Sequence, residues 1–275
     1  MQKILAPTDF SDPSVNAVIW AADLACVSGA ELYVLHVSPL PASYSEVPPP
    51  ASLVRDIHDR ALKNMQELKE KLLLHTHDRI RIHTQISQGD VLLGIESLAG
   101  KIDPFAIVMG PEHEGALHRL LTGSHTLAAA KQSRYPVIVV PANCRYSKLK
   151  RIGLGIELNE VIKTIPVDFI KRLHQQFHAA LYVFHISIVP GAPLTGERKE
   201  EADWLSELLK DMDPQYHYLY KENVEEGLCR YAEKYQLDML IVFPHRRNFF
   251  KQLFFPGHTR SLALHSNIPV LFFHD

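Results

Sequence analysis

The residues best placed to do chemistry lie in one loop, "GPEHEGALHRLLTGSHT", Gly110 to Thr126. It follows an apolar run, "FAIVMG", and leads into an alanine-rich stretch, "LAAAKQS". A glycine loop that opens a helix can hold phosphate, because free backbone N–H groups and the helix dipole converge on the anion. Glycine also lets the backbone approach a ligand closely and reach positive φ. Gly110, Gly115, Gly123 and Ser124 are the candidates, with His125 and Thr126 beside them. A second reading stays open on spacing alone: glycines for turn geometry, and Ser124 as a helix N-cap. Glu112 and Glu114 put negative charge in the loop, which opposes phosphate. No lysine or arginine precedes Arg119 to neutralise charge on a transferred phosphoryl group.

Other catalytic signatures are absent from the sequence. There is no GxxxxGK[ST], GxSxG, HRD-type loop, HExxH or CxxC…H pattern. Catalysis beyond slow ATP hydrolysis therefore has no support. Sixteen histidines are many. His258 and His265 fall two turns apart on one helical face, while His245 and His274 come from other elements. A metal site wants several converging ligands, so surface or cap histidines are expected and no metal is assigned.

The bulk properties frame these loops. With 275 residues, of which 46% are hydrophobic and 22% charged, the chain has room for two domains with real cores. A net charge of −2 predicts no pull towards nucleic acid or an anionic membrane. No apolar run reaches membrane-spanning length, and "MQKILAPTDF" enters a strand pattern at once. Cys26, Cys144 and Cys229 are an odd number without CxxC spacing, which predicts a reducing, cytoplasmic setting.

The elements that would position the loops occur twice. "ELYVLHVS" at 31–38 returns as "ALYVFHIS" at 180–187, "RYPVIVVP" as "NIPVLFFHD", and "GSHT" as "PGHT". The period is too long for a solenoid, so the chain reads as a duplicated domain, 1–143 and 149–275, joined near "PANCRYSKLKR". Unit one alternates strand and helix. "KILAP" is a buried strand, and Asp12-Pro13 start a helix that ends near Gly29. "ELYVLHV" is the second strand. The Pro-rich "PLPASYSEVPPPAS" precedes a helix with Val54, Ile57, Ala61, Met65 and Leu68 on one face. "RIHTQIS" alternates, with Ile82, Thr84 and Ile86 on one side, and Gly89-Asp90 opens a third helix. "FAIVMG", "SHTLAAAKQ" and "VIVVP" complete the unit. Unit two reads the same way, with strands near 151–156, 180–187, 216–220, 239–244 and 269–273. The expected fold class is α/β: two Rossmann-like or flavodoxin-like units, each a five-stranded parallel sheet with helices on both faces. In such sheets ligands sit where strand order reverses, so "PTDFS" and the glycine loop share a crevice if strands one and four are neighbours. Asp9 could then accept a hydrogen bond from a base or ribose hydroxyl.

At these residues the sequence resembles the universal stress protein family in its tandem form. The carriers are "KILAPTDFSDPSVNAV", "LYVLHVS" and "FAIVMG…LLTGSHT…YPVIVVP". Nucleotide-binding members show G-x2-G-x9-G-[ST] after strand four. Gly110, Gly123 and Ser124 match it, but His113 stands at the middle glycine, with Gly115 two residues on. The resemblance implies that Pro7, Thr8, Asp9 and Val37 contact a nucleoside, and that Met109, Gly110, Gly123, Ser124, His125 and Thr126 line ribose and phosphates. Gly89, His113 and Gly115 complete the candidate set. The implied ligand is ATP or another adenine nucleotide, with or without Mg2+.

Unit two has lost the pattern. Gly155, Ile156 and Glu157 stand where Pro7, Thr8 and Asp9 stand, and Pro256-Gly257 replaces Gly123-Ser124. Proline has no N–H to donate. Gly89-Asp90 becomes Glu222-Asn223, and Arg246 and Arg247 read as a solvated loop. The sequence thus predicts a stress-response protein that binds nucleotide in unit one and signals through unidentified protein partners. The alternatives are a nucleotide-independent scaffold and an enzyme of the wider adenine-nucleotide α-hydrolase-like group, whose SGGxDS-type loop is missing. The apolar last strands of the two units are expected to pair as an intrachain pseudo-dimer, as last strands do across the family's dimer axis. Whether two such chains form a homodimer the sequence leaves open.

Overall fold

The computed structural model describes residues 2–38, 50–111, 125–158, 160–187, 196–220, 224–243 and 266–273. The chain divides into two compact units, Met1–Tyr146 and Ser147–Asp275. In unit one, β1 (Lys3–Pro7), β2 (Glu31–Ser38), β3 (Ile82–Gln88), β4 (Ala106–Met109) and β5 (Val137–Val139) form a parallel sheet in the order β3-β2-β1-β4-β5. The short apolar runs of β4 and β5 are wholly buried, as expected of parallel strands covered on both faces. β3 lies at the edge. Ile82 is buried there, but Thr84 is exposed, so the expected inner face of this strand is covered only in part.

The helices start and stop where local chemistry dictates. α1 (Asp12–Ser28) has Ser11 as its N-cap, one residue before the expected Asp12, with Asp12 in the first turn and Pro13 next. Gly29 ends α1 in the left-handed conformation, φ 66°, where a side chain would be strained. α1 buries Ala17, Val18, Trp20, Ala21, Ala22, Leu24 and Ala25. α2 (Ala51–Thr76) lays Ala61, Met65, Leu68 and Leu72 on the sheet at helical spacing. Asp90 caps α3 (Val91–Ile102), its carboxylate accepting from the Leu93 N–H at 2.9 Å. α4 is His125–Gln132.

Unit two repeats the order. β6 (Arg151–Gly155), β7 (Ala180–Ser187), β8 (Gln215–Tyr220), β9 (Met239–Val242) and β10 (Val270–Phe272) run β10-β9-β6-β7-β8. Its helices are α5 (Val161–Thr164), α6 (Val167–Phe177), α7 (Glu197–Leu209) and α8 (Val224–Lys234). The counterpart of α1 is broken in two. Pro166 lacks an N–H and drives Ile165 to extended backbone, φ −93° and ψ 115°, which ends α5.

Asn16, only 7% exposed, fastens α1 to the segment after β5. Its Nδ2 donates to the Pro141 and Cys144 carbonyls at 3.2 and 2.9 Å, and its Oδ1 accepts from Arg145 at 2.9 Å. The Pro141 carbonyl keeps the Cys144 N–H at 2.9 Å, but Asn16→Ala takes the Asn16 donor from the Cys144 carbonyl and the acceptor from Arg145, and we expect it to cost about 1–3 kcal/mol. A fall in the urea midpoint without loss of helical circular dichroism is the measurement that checks this.

Candidate functional site

β1 pairs with both β2 and β4, with Ile4 opposite Leu32 on one side and Ala106 on the other. Strand order reverses at this point, so the carboxyl ends of β1 and β4 open on one crevice. The loop after β1 is tightly self-bonded. Thr8 N–H donates to the Leu35 carbonyl, and the Thr8 carbonyl accepts from His36 Nδ1, each at 2.8 Å. A carbonyl can only accept, so that nitrogen of His36 carries the proton. Ser14 Oγ donates to the Ser11 carbonyl at 3.0 Å, so in the 2.9 Å hydroxyl pair Thr8 is the donor. Thr8 Oγ1 also accepts from Phe10 N–H at 3.0 Å. Phe10 has φ 65°, a costly conformation for an aromatic residue, and its ring lies 4.5 Å from that of His36.

Asp9 is exposed, unlike the buried Pro7 and Thr8 on its chain side. Its Oδ1 accepts from Ser11 N–H at 3.0 Å and Ser11 Oγ at 2.6 Å. Partial burial pushes this carboxyl up, but the hydrogen bonds from Ser11 more than offset that and leave its pKa below the ordinary value. Asp9 is thus an ionised acceptor, held by one oxygen, at the crevice.

Gly110, at the end of β4, meets the first turn of α1. A Cβ on it would sit 2.4 Å from the Pro13 carbonyl oxygen and 3.1 Å from Ser14 N. Its own carbonyl accepts from the buried Thr126 hydroxyl at 2.8 Å. Thr8, Ser14, Gly110 and Thr126 therefore form one bonded or touching chain across β1, α1, β4 and α4. Met109 is buried beside it and His125 is exposed. Val37 is 7% exposed, covered by Gly94 of α3, where a Cβ would fall 2.7 Å from a Val37 methyl. Gly89 has φ 121°, and its N–H donates to the Ser38 carbonyl at 3.0 Å. Among the expected site residues, His113, Gly115, Gly123 and Ser124 lie outside the described residues, as do Pro256, Gly257, Arg246, Arg247, Glu222 and Asn223 of unit two. So do His245, His258, His265 and His274. Among the described residues no group of His, Cys, Asp or Glu is placed to hold a metal.

Gly94 and Asn16 were not singled out in the sequence. A glycine inside the helical run "VLLGIES" was the available signal for Gly94, since it marks close approach. For Asn16 the signal was a polar residue among apolar neighbours, "VNAVIW".

In unit two the same backbone bond fixes the correspondence. Ile156 N–H donates to the Phe184 carbonyl at 2.9 Å, as Thr8 does to Leu35, and His185 Nδ1 donates to the Ile156 carbonyl at 3.2 Å, as His36 does to Thr8. Glu157 then falls at the place of Asp9. Its Oε2 is buried with no hydrogen-bond partner. Burial pushes its carboxyl up to about 7, with the Arg198 guanidinium pulling the other way. His185 is pushed down by burial, with its bond to Ile156 opposing and Arg198 reinforcing.

The sequence pattern of the universal stress protein family matches residues 1–141 and again 148–274. The chain belongs to the universal stress protein family. A universal stress protein of Methanocaldococcus jannaschii is 34% identical over 147 residues, covering 50% of this chain and 81% of that one. One of Mycolicibacterium smegmatis is 24% identical and covers 98% of this chain and 95% of its own. The solved structure of a universal stress protein from Archaeoglobus fulgidus superposes with a TM-score of 0.75 at 14% identity, covering 99% of this chain and 96% of that chain. At that identity it supports the fold alone. Among the described residues no helix is long and apolar enough to cross a membrane.

Two outcomes follow from this geometry. Gly110→Ala forces backbone apart at Pro13, and we expect a loss of about 1–3 kcal/mol in urea unfolding. A variant of full stability would instead place the glycine requirement with a ligand. Glu157 ionises at about 7 in the fold against 4.5 unperturbed, so the folded chain holds the proton longer. Its contribution is lost as pH rises from 4.5 to about 7. Relative to Glu157→Gln, the wild type should lose about 1–2 kcal/mol across that window, after allowance for its part exposure. Parallel melting-temperature profiles for the two proteins would contradict this.

Proposed function

We propose that unit one binds an adenine nucleotide at the carboxyl ends of β1 and β4, and that this universal stress protein acts through protein partners in the cytoplasm. The observation that carries the reading is an ionised, exposed Asp9 at the strand-order reversal, beside the Gly110–Thr126 junction. Asp9 would accept from base or ribose. The hydroxyls of Thr8 and Thr126 are already engaged, so these residues would contribute shape and backbone more than hydroxyl donors. Pro7, Val37, Gly89, Met109 and Gly110 would form the walls, with His125 beside them. His113, Gly115, Gly123 and Ser124 would face the phosphates and any accompanying Mg2+. Unit two would not bind, because Glu157, its Oε2 buried without a partner, is a carboxyl that titrates at about 7 where unit one presents a carboxylate.

A nucleotide-independent scaffold is the second reading. It is favoured by the contact of Gly110 with Pro13, which accounts for that glycine without a ligand. Mass spectrometry of the purified protein for co-purified ATP, ADP or AMP separates the two. Titration calorimetry then assigns the unit. We expect Asp9→Ala to abolish most binding, Asp9→Asn to retain part of it through the remaining oxygen, and Glu157→Ala to leave it unchanged. Equal losses at Asp9 and Glu157 would assign binding to both units.

A further inference from the structure

Among the described residues β8 is the last strand of the unit-two sheet and pairs with β7 alone, Tyr182 opposite Gln215 through Ser187 opposite Tyr220. Among those residues no strand pairs with its other edge, and the backbone N–H and C=O groups of such an edge template strand addition unless charge, proline or a bulge blocks them. "QYHYLY" contains none of these blockers. Tyr216, Tyr218 and Tyr220 alternate along one face of β8. Among the described residues the exposed large aromatic side chains are Trp204 at 53%, Tyr218 at 45% and Tyr220 at 41%. All three belong to α7 and β8. The exposed large hydrophobics elsewhere are single aliphatic residues.

The same surface is acidic. α7, "ERKEEADWLSELL", has five acidic and two basic residues. Glu200, Asp203 and Glu207 recur at helical spacing on one side of it, all exposed, with Glu207 sharing its charge with Lys210. α7 leads into β8 through the single short turn Lys210–Met212, and the Asp203 carboxylate adds to burial in raising the Tyr218 phenol pKa. Glu201 points elsewhere, accepting from Val161 N–H at 2.7 Å.

We propose that β8 takes an extended basic segment of a partner protein as an added strand, with its backbone on the open edge and, along one face, its apolar side chains on Tyr218 and Tyr220 and its Lys or Arg side chains on Glu200 and Asp203. Backbone pairing supplies affinity in such strand addition, and alternate side chains supply choice of partner. Aromatic anchors surrounded by complementary charge are what strong interface centres contain. The proposal rests on the reading that this chain works through protein partners and is independent of nucleotide.

The probe is a fluorescein-labelled peptide of about ten residues with Ser or Thr at every second position and Val or Ile alternating with Lys or Arg between them, so that apolar and basic side chains share one face, long enough to span one strand. Its companions are an acidic counterpart and a version N-methylated at alternate residues. With the full chain, the basic peptide should raise anisotropy saturably and slow hydrogen exchange in Gln215–Tyr220. Binding should weaken at least about tenfold in Tyr218→Lys, which places charge on the edge, and in the Glu200→Lys, Asp203→Lys double variant, and should fall with salt. These sites are exposed, so the variants should keep wild-type unfolding midpoints. No saturable binding, equal binding of the acidic peptide, or binding indifferent to N-methylation and to Tyr218→Lys would overturn the proposal. So would sedimentation showing that a second copy of this chain covers β8, with a dimer that Tyr218→Lys dissociates. Nucleotide calorimetry on the same variants should match wild type, so failure here is separable from failure of the nucleotide reading.

Discussion

Unit one is organised around the approach of two backbones: the first turn of α1 rests on Gly110, with space for no Cβ between them. β1 must lead into α1 through a turn short enough to bring Pro13 to that point. The turn achieves this with Thr8 bonded on four sides and with Phe10 in a left-handed conformation that its neighbours must offset. β4 in turn must end beneath α1, and Thr126 pins the start of α4 to the same carbonyl. Four elements meet at one glycine. A ligand crevice at this junction therefore inherits its rigidity from packing that exists without the ligand, which is the physical meaning of preorganisation here.

The two units show how one backbone plan gives opposite electrostatics. Asp9 and Glu157 follow the same strand and the same inter-strand bond. Asp9 is followed by Ser11, which supplies a hydroxyl and an N–H donor and holds the carboxyl ionised. Glu157 is followed by Leu158 and Val161, both buried, and its Oε2 has no donor. Desolvation then dominates and the carboxyl favours its proton. The broken helix belongs to the same divergence. Pro166 ends α5 after one turn, where α1 continues unbroken to Ser28. Duplication kept the sheet and released the mouth of unit two from the constraints that shape the mouth of unit one.

Much of this was legible because sheet cores write themselves in period. "AIVM" and "VIV" are buried throughout and "KILAP" from Ile4 onward, and Ala61, Met65 and Leu68 follow the helical face read from spacing. Features that depend on contact between distant segments were not legible. Gly110 reads in the sequence as part of a ligand loop, yet its tightest neighbour is Pro13, ninety-seven residues earlier in the chain. Thr84 sits in an alternating strand, but alternation says which side chains share a face and not whether anything covers that face at an edge. The cap of α1 fell on Ser11 and not Asp12, although Ser11 Oγ is spent on Asp9 and makes no cap bond. Boundary residues are decided by such local competition for donors, which pattern cannot rank.

The two sheet edges carry the last contrast. β3 is an edge managed by polarity. His83, Thr84 and Gln85 are exposed along it, and Glu31 of the neighbouring strand gathers Arg81 and His83 at 3.5 and 3.1 Å. Charge at that end makes a further strand costly to desolvate. β8 has the same place in the order and no charged residue. Its inner side is committed: Tyr182, Phe184, His217 and Tyr235 stack together, and Tyr235 bonds His217 at 3.2 Å. That aromatic core holds β8 firmly in the sheet while Tyr218 and Tyr220 on the other face remain exposed. A strand rigid on one side and unprotected on the other has already lost the conformational entropy that strand addition requires. The open edge of unit two is thus a surface prepared for pairing, in the unit whose strand-end loops have departed from the nucleotide pattern.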